Sequence, residues 1–401
     1  MANWMVSLAN AAARETGVYV GLMSGTSADG IDVAVVELTD GERPRELAFQ
    51  STAYPEGLRE RVLQGIAGEA DPADINELHT LVGQAFGHAA ATALHAAGIR
   101  VADAVAIGSH GQTVWHRPPM DAAPTGATLQ LGNPAAIAAA AAVPVVSDFR
   151  SGDMAQGGEG APLVPYVDWM LFSGPAKSRA LQNIGGIGNV TFLAAGGGPE
   201  TVIAFDTGPG TALIDVAVAE LTQGAAAMDR DGAMAAQGTA DETLLALWMS
   251  ERYLSRQPPK STGRELFGKD YGLRLLGDAQ RQGGTDADAI ATITAFTALS
   301  IAEAYATFFP VPVDQIIVSG GGRLNPTLMR MLRAALDAAG IAAPFVAAEK
   351  WGVGAESKEA VAFAILARET LRGVPTNLPS VTGARLPVVL GSVTPAPGLH
   401  G

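Results

Sequence analysis

Residues 18–38 read Val-Tyr-Val-Gly-Leu-Met-Ser-Gly-Thr-Ser-Ala-Asp-Gly-Ile-Asp-Val-Ala-Val-Val-Glu-Leu. Two apolar runs of β-forming residues flank a turn made of small polar residues, a pattern that predicts a β-hairpin. Gly25 and Gly30 are expected to adopt positive φ and to let a ligand approach the backbone. Asp29 and Asp32 can hold Mg²⁺ directly or through water. The turn therefore has the composition of a site for an anion and a metal ion.

Ser24, Thr26 and Ser27 are expected to offer their hydroxyl groups as donors to such a ligand. In the alternative interpretation this is an ordinary tight hairpin, whose Ser and Asp side chains only cap their own backbone. A P-loop is disfavoured, because the turn lacks Lys and leads into a strand-like run rather than a helix. A Rossmann dinucleotide site is disfavoured for the same reason, since its glycines must open a helix.

The length, charge and cysteine content of the chain exclude several classes of function. The chain has 401 residues, of which 48% are hydrophobic, and a formal net charge of −14. This length predicts two domains, and the negative charge argues against nucleic acid or an anionic membrane as partners. Cysteine is absent, which excludes disulfides and thiolate chemistry and fits a cytoplasmic protein.

No membrane or targeting segment is expected. Residues 1–15 lack a basic start followed by a long apolar core, and the Ala-rich run 134–146 is too short to span a bilayer. The sequence therefore predicts a soluble, cytoplasmic protein with a small-molecule partner.

Strand and helix patterns alternate along the chain. Helical spacing of apolar residues covers 55–68 and 71–98. The predicted strands after the first hairpin are 101–108, 143–148, 180–185, 190–193, 202–206, 316–319 and 343–346. The pattern predicts an α/β fold, with mixed sheets because the first element is a hairpin.

A second Gly-rich hairpin is predicted at Leu181–Leu193, which reads Leu-Gln-Asn-Ile-Gly-Gly-Ile-Gly-Asn-Val-Thr-Phe-Leu. It repeats the outline of the first hairpin, so it suggests either a duplicated architecture or a chance similarity of two hairpins. Glycine and proline concentrate over 148–165, where a domain boundary is expected.

Asp206 is the candidate general base. It ends the strand pattern 201–206, and Thr-Gly-Pro-Gly-Thr then leads into an apolar helical pattern at 212–221. This order predicts a carboxylate at the C-terminal end of a strand, beside a helix N-terminus whose free amides attract anions. Such a carboxylate can accept a proton at neutral pH; alternatively, it caps the helix or binds Mg²⁺.

Three further motifs are rich in polar residues or glycine. Residues 314–329 predict a strand, the three glycines 320–322 and a helix capped by Asn325 with Pro326 in its first position; the glycines either admit a flat ligand or allow a tight turn. Lys-Ser-Thr-Gly-Arg-Glu at 260–265 can reach a phosphate or cap a helix.

Ser-His-Gly-Gln-Thr-Val-Trp-His at 109–116 follows a predicted strand and suits recognition of a sugar-like ligand. A serine hydrolase is disfavoured, because adjacent residues of a strand point to opposite faces and no Gly-x-Ser-x-Gly surrounds Ser109.

Together these motifs resemble those of the anhydro-N-acetylmuramic acid kinase family, from about Gly17 to about Gly391. The stretches that carry the resemblance are 21–32, 108–113, 148–150, 157–165, 183–186, 205–210, 260–265 and 377–383. The resemblance implies two actin-like (ribonuclease H-like) domains, with mixed sheets flanked by helices and an interdomain cleft that closes over the substrates. The domains are expected at 17–150, with the first phosphate hairpin, and at 151–391, with the second hairpin, the catalytic aspartate and the adenosine segment; the C-terminal helix can return to the first domain.

The implied activity uses water to open the 1,6-anhydro bond of anhydro-N-acetylmuramate and ATP to phosphorylate O6, giving N-acetylmuramate 6-phosphate during peptidoglycan recycling. By resemblance, Asp206 is the base that takes a proton from the attacking water. The implied cofactors are ATP and Mg²⁺, with Asp29 and Asp32 as metal ligands, directly or through water. Residues expected around the nucleotide are Gly25, Thr26, Ser27, Ala28, Asp29, Gly30, Ile31, Asp32, Asn183, Gly185, Gly186, Gly208, Gly210, Gly320, Gly321 and Gly322. Residues expected in the sugar pocket are Thr113, Arg150 and Glu359.

Two positions depart from the family pattern: Gly152, where many members have Arg, and Thr211, where many have Asn. These departures keep two alternatives open, an actin-fold kinase for another sugar and a nucleotide-binding regulator without catalysis. A homodimer is a further expectation.

Overall fold

The computed structural model describes residues 4–119, 125–354 and 356–397. These residues form two structural units. Unit 1 contains the chain up to Leu171 and again from Ala348, and unit 2 contains Phe172–Ala347. Unit 2 is thus one continuous segment, whereas unit 1 is built from two. The domain boundary predicted between residues 150 and 151 lies within the first segment of unit 1.

The strands are β1 (Thr16–Ser24), β2 (Ile31–Thr39), β3 (Arg45–Thr52), β4 (Ala104–Arg117), β5 (Ala127–Leu131), β6 (Val145–Ser147), β7 (Arg179–Ile184), β8 (Ile187–Leu193), β9 (Ile203–Pro209), β10 (Gln315–Ser319), β11 (Phe345–Val346) and β12 (Ser392–Thr394). The helices are α1 (Trp4–Ala12), α2 (Leu58–Ile66), α3 (Pro72–Ala96), α4 (Pro134–Ala141), α5 (Ser151–Ala155), α6 (Val164–Phe172), α7 (Ala212–Leu221), α8 (Glu242–Trp248), α9 (Lys269–Arg281), α10 (Asp286–Phe308), α11 (Pro326–Ala338), α12 (Lys358–Leu371) and α13 (Pro379–Thr382).

Both sheets are mixed, as the sequence predicts. In unit 1 the strand order is β12-β6-β4-β1-β2-β3, with β5 paired to β4. Strands β1, β2 and β3 form an antiparallel meander, while β4 and β6 continue the sheet in parallel with β1. In unit 2 the order is β11-β10-β7-β8-β9.

The two sheets repeat one topology. In unit 2, β7, β8 and β9 form an antiparallel meander, and β10 and β11 continue in parallel with β7. The order and direction of five strands are therefore the same in both units. The duplicated architecture suggested by the two hairpins is confirmed, and a chance similarity is not the explanation.

Two glycines allow a helix to lie directly on the sheet of unit 1. A Cβ on Gly21 of β1 would lie 1.7 Å from the carbonyl oxygen of Ala360, and one on Gly108 of β4 would lie 1.9 Å from that of Phe363. Both carbonyls belong to α12, whose residues 360–367 are almost completely buried. Only glycine permits this separation of helix and sheet, so these glycines are required for packing.

The helix starts follow local sequence signals. Asp71 caps α3 by accepting hydrogen bonds from the amides of Ala73 and Asp74, and Asn325 caps α11 by accepting from Leu328, with a proline first in each helix. The predicted cap of α11 is thus confirmed.

One helix of the described residues, α10, is long and apolar enough to cross a membrane. However, 78% of its most apolar window is buried inside the fold. In this structure α10 is a core helix of unit 2, where it packs in the two hydrophobic clusters of that unit.

Candidate functional site

The first hairpin has the predicted strands, but its turn conformation differs from the prediction. Gly25 and Gly30 do not have positive φ; the left-handed residue of the turn is Ala28, with φ 51°. Its amide donates to the carbonyl of Gly25 at 3.0 Å, and its methyl group is fully buried. The prediction for the two glycines is therefore wrong, because the turn closes around a buried alanine.

The exposed residues of this turn are Gly25, Thr26, Ser27 and Asp29. They can present amides and hydroxyls to an anion. The side chains of Ala28 and Ile31 lie in the core, so these two predicted site residues can contribute only backbone groups.

A buried hydrogen-bond network supports the turn from below. The Tyr54 hydroxyl lies 2.9 Å from both the Ser24 hydroxyl and Gln112 Oε1. Ser24 donates to the carbonyl of Gly30 at 2.7 Å, and Gln112 Nε2 donates to that of Gly25 at 3.0 Å. Ser24 and Gln112 are essentially inaccessible to solvent. The prediction that Ser24 offers its hydroxyl to a ligand is therefore wrong, since this hydroxyl holds the turn.

The sequence analysis missed Arg59, which holds the same turn from α2. Its guanidinium donates to the carbonyls of Ala28 and Ser27, at 3.0 and 3.3 Å, and to Asp29 Oδ1 at 3.3 Å. The pKa of Asp29 is lowered, first by a hydrogen bond with Ser27 and then by Arg59. No local pattern marks Arg59, because the contact depends on how α2 packs against the hairpin.

The motif at 109–116 was expected to follow a strand, but it is part of β4. Ser109, His110 and Gln112 are buried, so their predicted role in sugar recognition is wrong. Thr113 keeps partial exposure, and its hydroxyl accepts a hydrogen bond from Gln130 Nε2 at 3.3 Å. Within this motif, Thr113 remains the predicted sugar-pocket residue.

His110 fixes the orientation of Arg150. Its Nδ1–H donates to the carbonyl of Gly111 at 2.8 Å, so its Nε2 is the acceptor for Arg150 Nη2 and Nε, at 2.7 and 3.2 Å. Arg150 Nη1 also donates to the carbonyl of Gly160 at 2.7 Å. Burial and the Arg150 charge lower the pKa of His110 to about 3, which keeps the imidazole neutral and able to accept.

Arg150, Glu359 and Asp32 are charged groups of unit 1 that interact electrostatically. Burial lowers the pKa of Arg150 to about 10, an effect that Glu359 opposes. Glu359 keeps solvent-accessible surface, yet desolvation by surrounding atoms, and after it the Asp32 charge, raises its pKa. The side chains are thus desolvated but reachable, which is the chemistry expected for gripping a polar ligand.

The second hairpin of unit 2 joins the start of α7. The amide of Thr211 donates to the carbonyl of Gly185 at 2.8 Å, and those of Gly210 and Ala212 donate to the carbonyl of Gly186 at 2.9 and 3.2 Å. A Cβ on Gly210 would lie 2.0 Å from the Gly185 carbonyl oxygen. The prediction that the amides at this helix start are free is therefore wrong for residues 210–212, because carbonyls of the hairpin turn accept hydrogen bonds from all three amides.

The glycines 320–322 approach the same hairpin. A Cβ on Gly320, which has φ 82°, would lie 2.5 Å from the carbonyl oxygen of Ile184, and one on Gly322 would lie 2.4 Å from the side chain of that residue. Ser319 donates to Asn183 Oδ1 at 3.4 Å. Among the described residues, no atom lies within 4 Å of a Cβ on Gly321. Of the three glycines 320–322, Gly321 is therefore the one with open space for a flat ligand.

Asp206 lies inside β9 rather than at its end, which corrects the predicted position. The register pairs Gly188 with Gly208 and Asn189 with Asp206, so Thr207 is the extra residue of a β-bulge. Bulges re-aim side chains and are common beside active sites. Asp206 is half-buried, and its Oδ2 accepts a hydrogen bond from the Thr262 amide at 2.9 Å.

In the motif 260–265, predicted to reach a phosphate or to cap a helix, Lys260 itself does neither; for the other residues the prediction stays open. Lys260 is 3% exposed, and its Nζ donates to the carbonyls of Leu254 and Tyr253, at 2.9 and 3.4 Å. It therefore reaches no solvent-exposed phosphate and caps no helix.

At the two positions that depart from the family pattern, Gly152 has space for a side chain and Thr211 has a hydrogen-bond partner. A Cβ on Gly152 would meet its nearest atom at 3.5 Å, an ordinary contact. The Thr211 side chain hydrogen-bonds Asp215, whose pKa is raised overall by burial.

The donor set for Mg²⁺ is limited. Among the residues that the structure describes, no cluster of three or more histidine or acidic side chains is placed to hold a metal ion. Mg²⁺ in phosphoryl-transfer sites commonly needs only one or two carboxylates, because the phosphates and water supply the other ligands. Asp32, whose charge raises the pKa of Glu359, fits such a role better than Asp29, which pairs with Arg59.

The comparisons with known proteins agree with one another. A family model described as anhydro-N-acetylmuramic acid kinase matches residues 17–396. The anhydro-N-acetylmuramic acid kinase of Gloeobacter violaceus is 45% identical over 381 residues, which cover 94% of this chain and 98% of that protein. The proteins of the same name from Salinibacter ruber and Caldanaerobacter subterraneus subsp. tengcongensis are 44% and 41% identical, and each alignment covers 95% of this chain and 97% and 98% of the respective relative. The chain therefore belongs to the anhydro-N-acetylmuramic acid kinase family.

Proposed function

We propose that this protein opens the 1,6-anhydro bond of anhydro-N-acetylmuramate with water and phosphorylates O6 from ATP, which yields N-acetylmuramate 6-phosphate and ADP in peptidoglycan recycling. The family match over residues 17–396 supports the substrate and the reaction. The geometry around Asp206 supports the assignment of the base.

In the proposed reaction, Asp206 accepts a proton from the water that attacks the anomeric carbon. The new bond joins that carbon to the water oxygen, and the bond from the same carbon to O6 breaks. O6 then attacks the γ-phosphorus of ATP, whose bond to the bridging oxygen breaks to release ADP. Phosphoryl transfer needs mainly positioning and charge neutralisation from the protein.

The observation that carries the proposal is the support of Asp206. A bulge re-aims its side chain, and the Thr262 amide donates to one carboxylate oxygen at 2.9 Å. A hydrogen bond to the charged form stabilises a carboxylate as the base, while the other oxygen remains the proposed proton acceptor.

For the nucleotide, we propose that amides and hydroxyls of residues 25–27 and the hairpin around 183–186 contact the phosphates, with adenosine near Gly321. Asp32 would hold Mg²⁺, which would neutralise the negative charge of the phosphates. Arg150, Glu359 and Thr113 are proposed to bind the sugar. A cytoplasmic location and a homodimer remain proposals; light scattering on the purified protein tests the latter.

The test is mass spectrometry of products formed from Mg-ATP and anhydro-N-acetylmuramate in ¹⁸O-water. The expected product is a 6-phosphorylated sugar with one ¹⁸O at the anomeric hydroxyl, corrected for the exchange that the unlabelled product undergoes without protein. Asp206→Asn should lower kcat at least 1,000-fold and leave ATP binding within about threefold, because it removes the base alone.

Asp241→Asn is the matched control. Asp241 caps α8 by accepting from the amides of Thr243 and Leu244, and asparagine caps equally well, so turnover should be unchanged. Phosphorylation of a sugar without the anhydro bond, and not of this one, would favour the kinase for another sugar. ATP binding without turnover of any sugar would favour the regulator.

A further inference from the structure

We propose that Lys260 is a positioning residue for Asp206: its buried ammonium group ties the segment 253–262 into a clasp that fixes the backbone and the carboxylate of Asp206. The inference deepens the proposed function, since it assumes that Asp206 acts in the reaction. It rests on contacts within unit 2 alone.

The clasp meets Asp206 at three points. The Tyr253 hydroxyl donates to the Asp206 carbonyl at 2.9 Å, and the Asp206 amide donates to the Lys260 carbonyl at 3.2 Å. The Thr262 amide donates to Asp206 Oδ2 at 2.9 Å. Backbone and carboxylate are thus both held by one short segment.

Lys260 closes this segment on itself. Its Nζ donates to the carbonyls of Tyr253 and Leu254. Lys260, whose carbonyl accepts from the Asp206 amide, is thereby joined to Tyr253, whose hydroxyl donates to the Asp206 carbonyl. The ammonium group also lies over three aromatic rings, 4.4 Å from the centroid of Phe308, 5.0 Å from Tyr253 and 5.4 Å from Phe205. Phe205 precedes Asp206 in β9, so the cation contacts both the clasp and the strand that it holds.

Burying a lysine costs free energy, because its ammonium group loses hydration. Burial lowers the pKa of Lys260 to about 8, although the Asp206 charge opposes the shift. An apolar side chain would fill the aromatic cage equally well but would leave the carbonyls of Tyr253 and Leu254 without this donor. The hydrogen-bond donor of Lys260 is therefore the feature that an apolar side chain could not replace. It holds together the segment that fixes Asp206.

The test compares Lys260→Met, which keeps the length and the apolar stem but removes the donors, with wild type. We expect kcat to fall at least tenfold, with KM for ATP and for the anhydro-sugar within twofold and the melting temperature lowered by at most about 4 °C, because the two carbonyls lose their donor. A misplaced base slows the chemical step and leaves ground-state binding intact. The control is Lys269→Met, an exposed lysine that opens α9, which should leave all four quantities unchanged.

A second variant keeps the proposal testable if methionine disturbs the cage. Tyr253→Phe retains the ring beneath the ammonium group and removes the hydrogen bond to the Asp206 carbonyl, so kcat should fall about threefold to tenfold with unchanged KM values. A kcat within twofold of wild type for both variants overturns the proposal. A rise in both KM values together with a lower melting temperature does so too, because it assigns Lys260 a general structural role.

Hydrogen–deuterium exchange separates this inference from the proposed function. In Lys260→Met the amides of Asp206 and Thr262 should exchange at least tenfold faster than in wild type, whichever sugar is the substrate. If wild type shows no turnover but the exchange rates rise as expected, the clasp holds and the proposed function fails. Unchanged exchange at both amides overturns the clasp even when wild type is active.

Discussion

His110 shows how a single buried residue determines the state of a functional one. Its Nδ1–H is committed to the carbonyl of Gly111, so Nε2 has a lone pair directed at Arg150. Protonation of Nε2 would place two cations within hydrogen-bond distance. Burial, and after it the Arg150 charge, lowers the pKa of His110, so the imidazole that holds the arginine stays a neutral acceptor.

This arrangement predicts a pH-dependent loss of stability. The folded-state pKa of about 3 lies below the unfolded value of about 6.5, so the unfolded chain binds the extra proton first. The contribution of His110 is complete above pH 6.5 and falls as the pH drops from 6.5 towards 3, by about 1.4 kcal/mol per pH unit. In His110→Gln, whose amide oxygen can also accept from Arg150, this dependence should be missing.

Urea unfolding of both proteins at pH 7.5, 6.5 and 5.5 measures the difference. If wild type is the more stable at pH 7.5, its advantage should shrink by about 1.4 kcal/mol at pH 5.5. Other histidines with lowered pKa values, His79 and His116, are common to both proteins and cancel. An advantage that is constant with pH would show that His110 titrates normally in the folded protein.

The first hairpin depends on groups that lie far from it in sequence. Tyr54 follows β3, Gln112 lies in β4 and Arg59 in α2, yet all three hold the turn between β1 and β2. The turn can therefore be rigid although several of its own residues are exposed. A rigid arrangement of donors is what an anion site requires.

Removing one of these supports should weaken nucleotide binding. Tyr54→Phe deletes the hydroxyl that bonds Ser24 and Gln112, so the unfolding free energy should fall by about 1 kcal/mol. Loosening of the turn should raise the Kd for ATP by about fivefold, equivalent to roughly 1 kcal/mol. Tyr19→Phe, on the same sheet but away from the turn, should leave the Kd unchanged, as calorimetric titration can show. An unchanged Kd in Tyr54→Phe would mean that the turn is not part of the nucleotide site.

These elements also show what the sequence could predict. Both hairpins, the cap of α11 and the mixed α/β sheets follow from local patterns of apolar residues, glycine, asparagine and proline, and the structure has them. The burial of His110 and Gln112 could not be predicted, because it depends on their distant partners Arg150 and Tyr54. The position of Asp206 inside β9 depends on a bulge, which leaves no clear periodic signal. The roles of the nucleotide and sugar residues remain predictions.

Both units use the same five-strand topology, but they differ in how the chain completes them. Unit 2 is formed by the continuous segment 172–347, whereas unit 1 needs residues from 348 onward. The returning segment supplies α12, which lies against β1 and β4 where Gly21 and Gly108 permit contact, and β12, which pairs with β6 at the sheet edge.

This difference predicts unequal folding of the fragments. Residues 1–171 lack α12, whose Val361, Phe363, Ile365 and Leu366 are at most 3% exposed. Burial of four large apolar side chains contributes roughly 6–12 kcal/mol, comparable to the whole stability of a typical domain, about 5–15 kcal/mol. We therefore expect fragment 1–171 to show no cooperative urea transition and fragment 172–347 to unfold cooperatively, as followed by circular dichroism. Joining residues 1–171 to 348–401 through a flexible Gly/Ser linker should restore a cooperative transition of unit 1. Cooperative unfolding of 1–171 alone would show that α12 is not required, and failure of the joined protein would show that unit 1 depends on more than its own two segments.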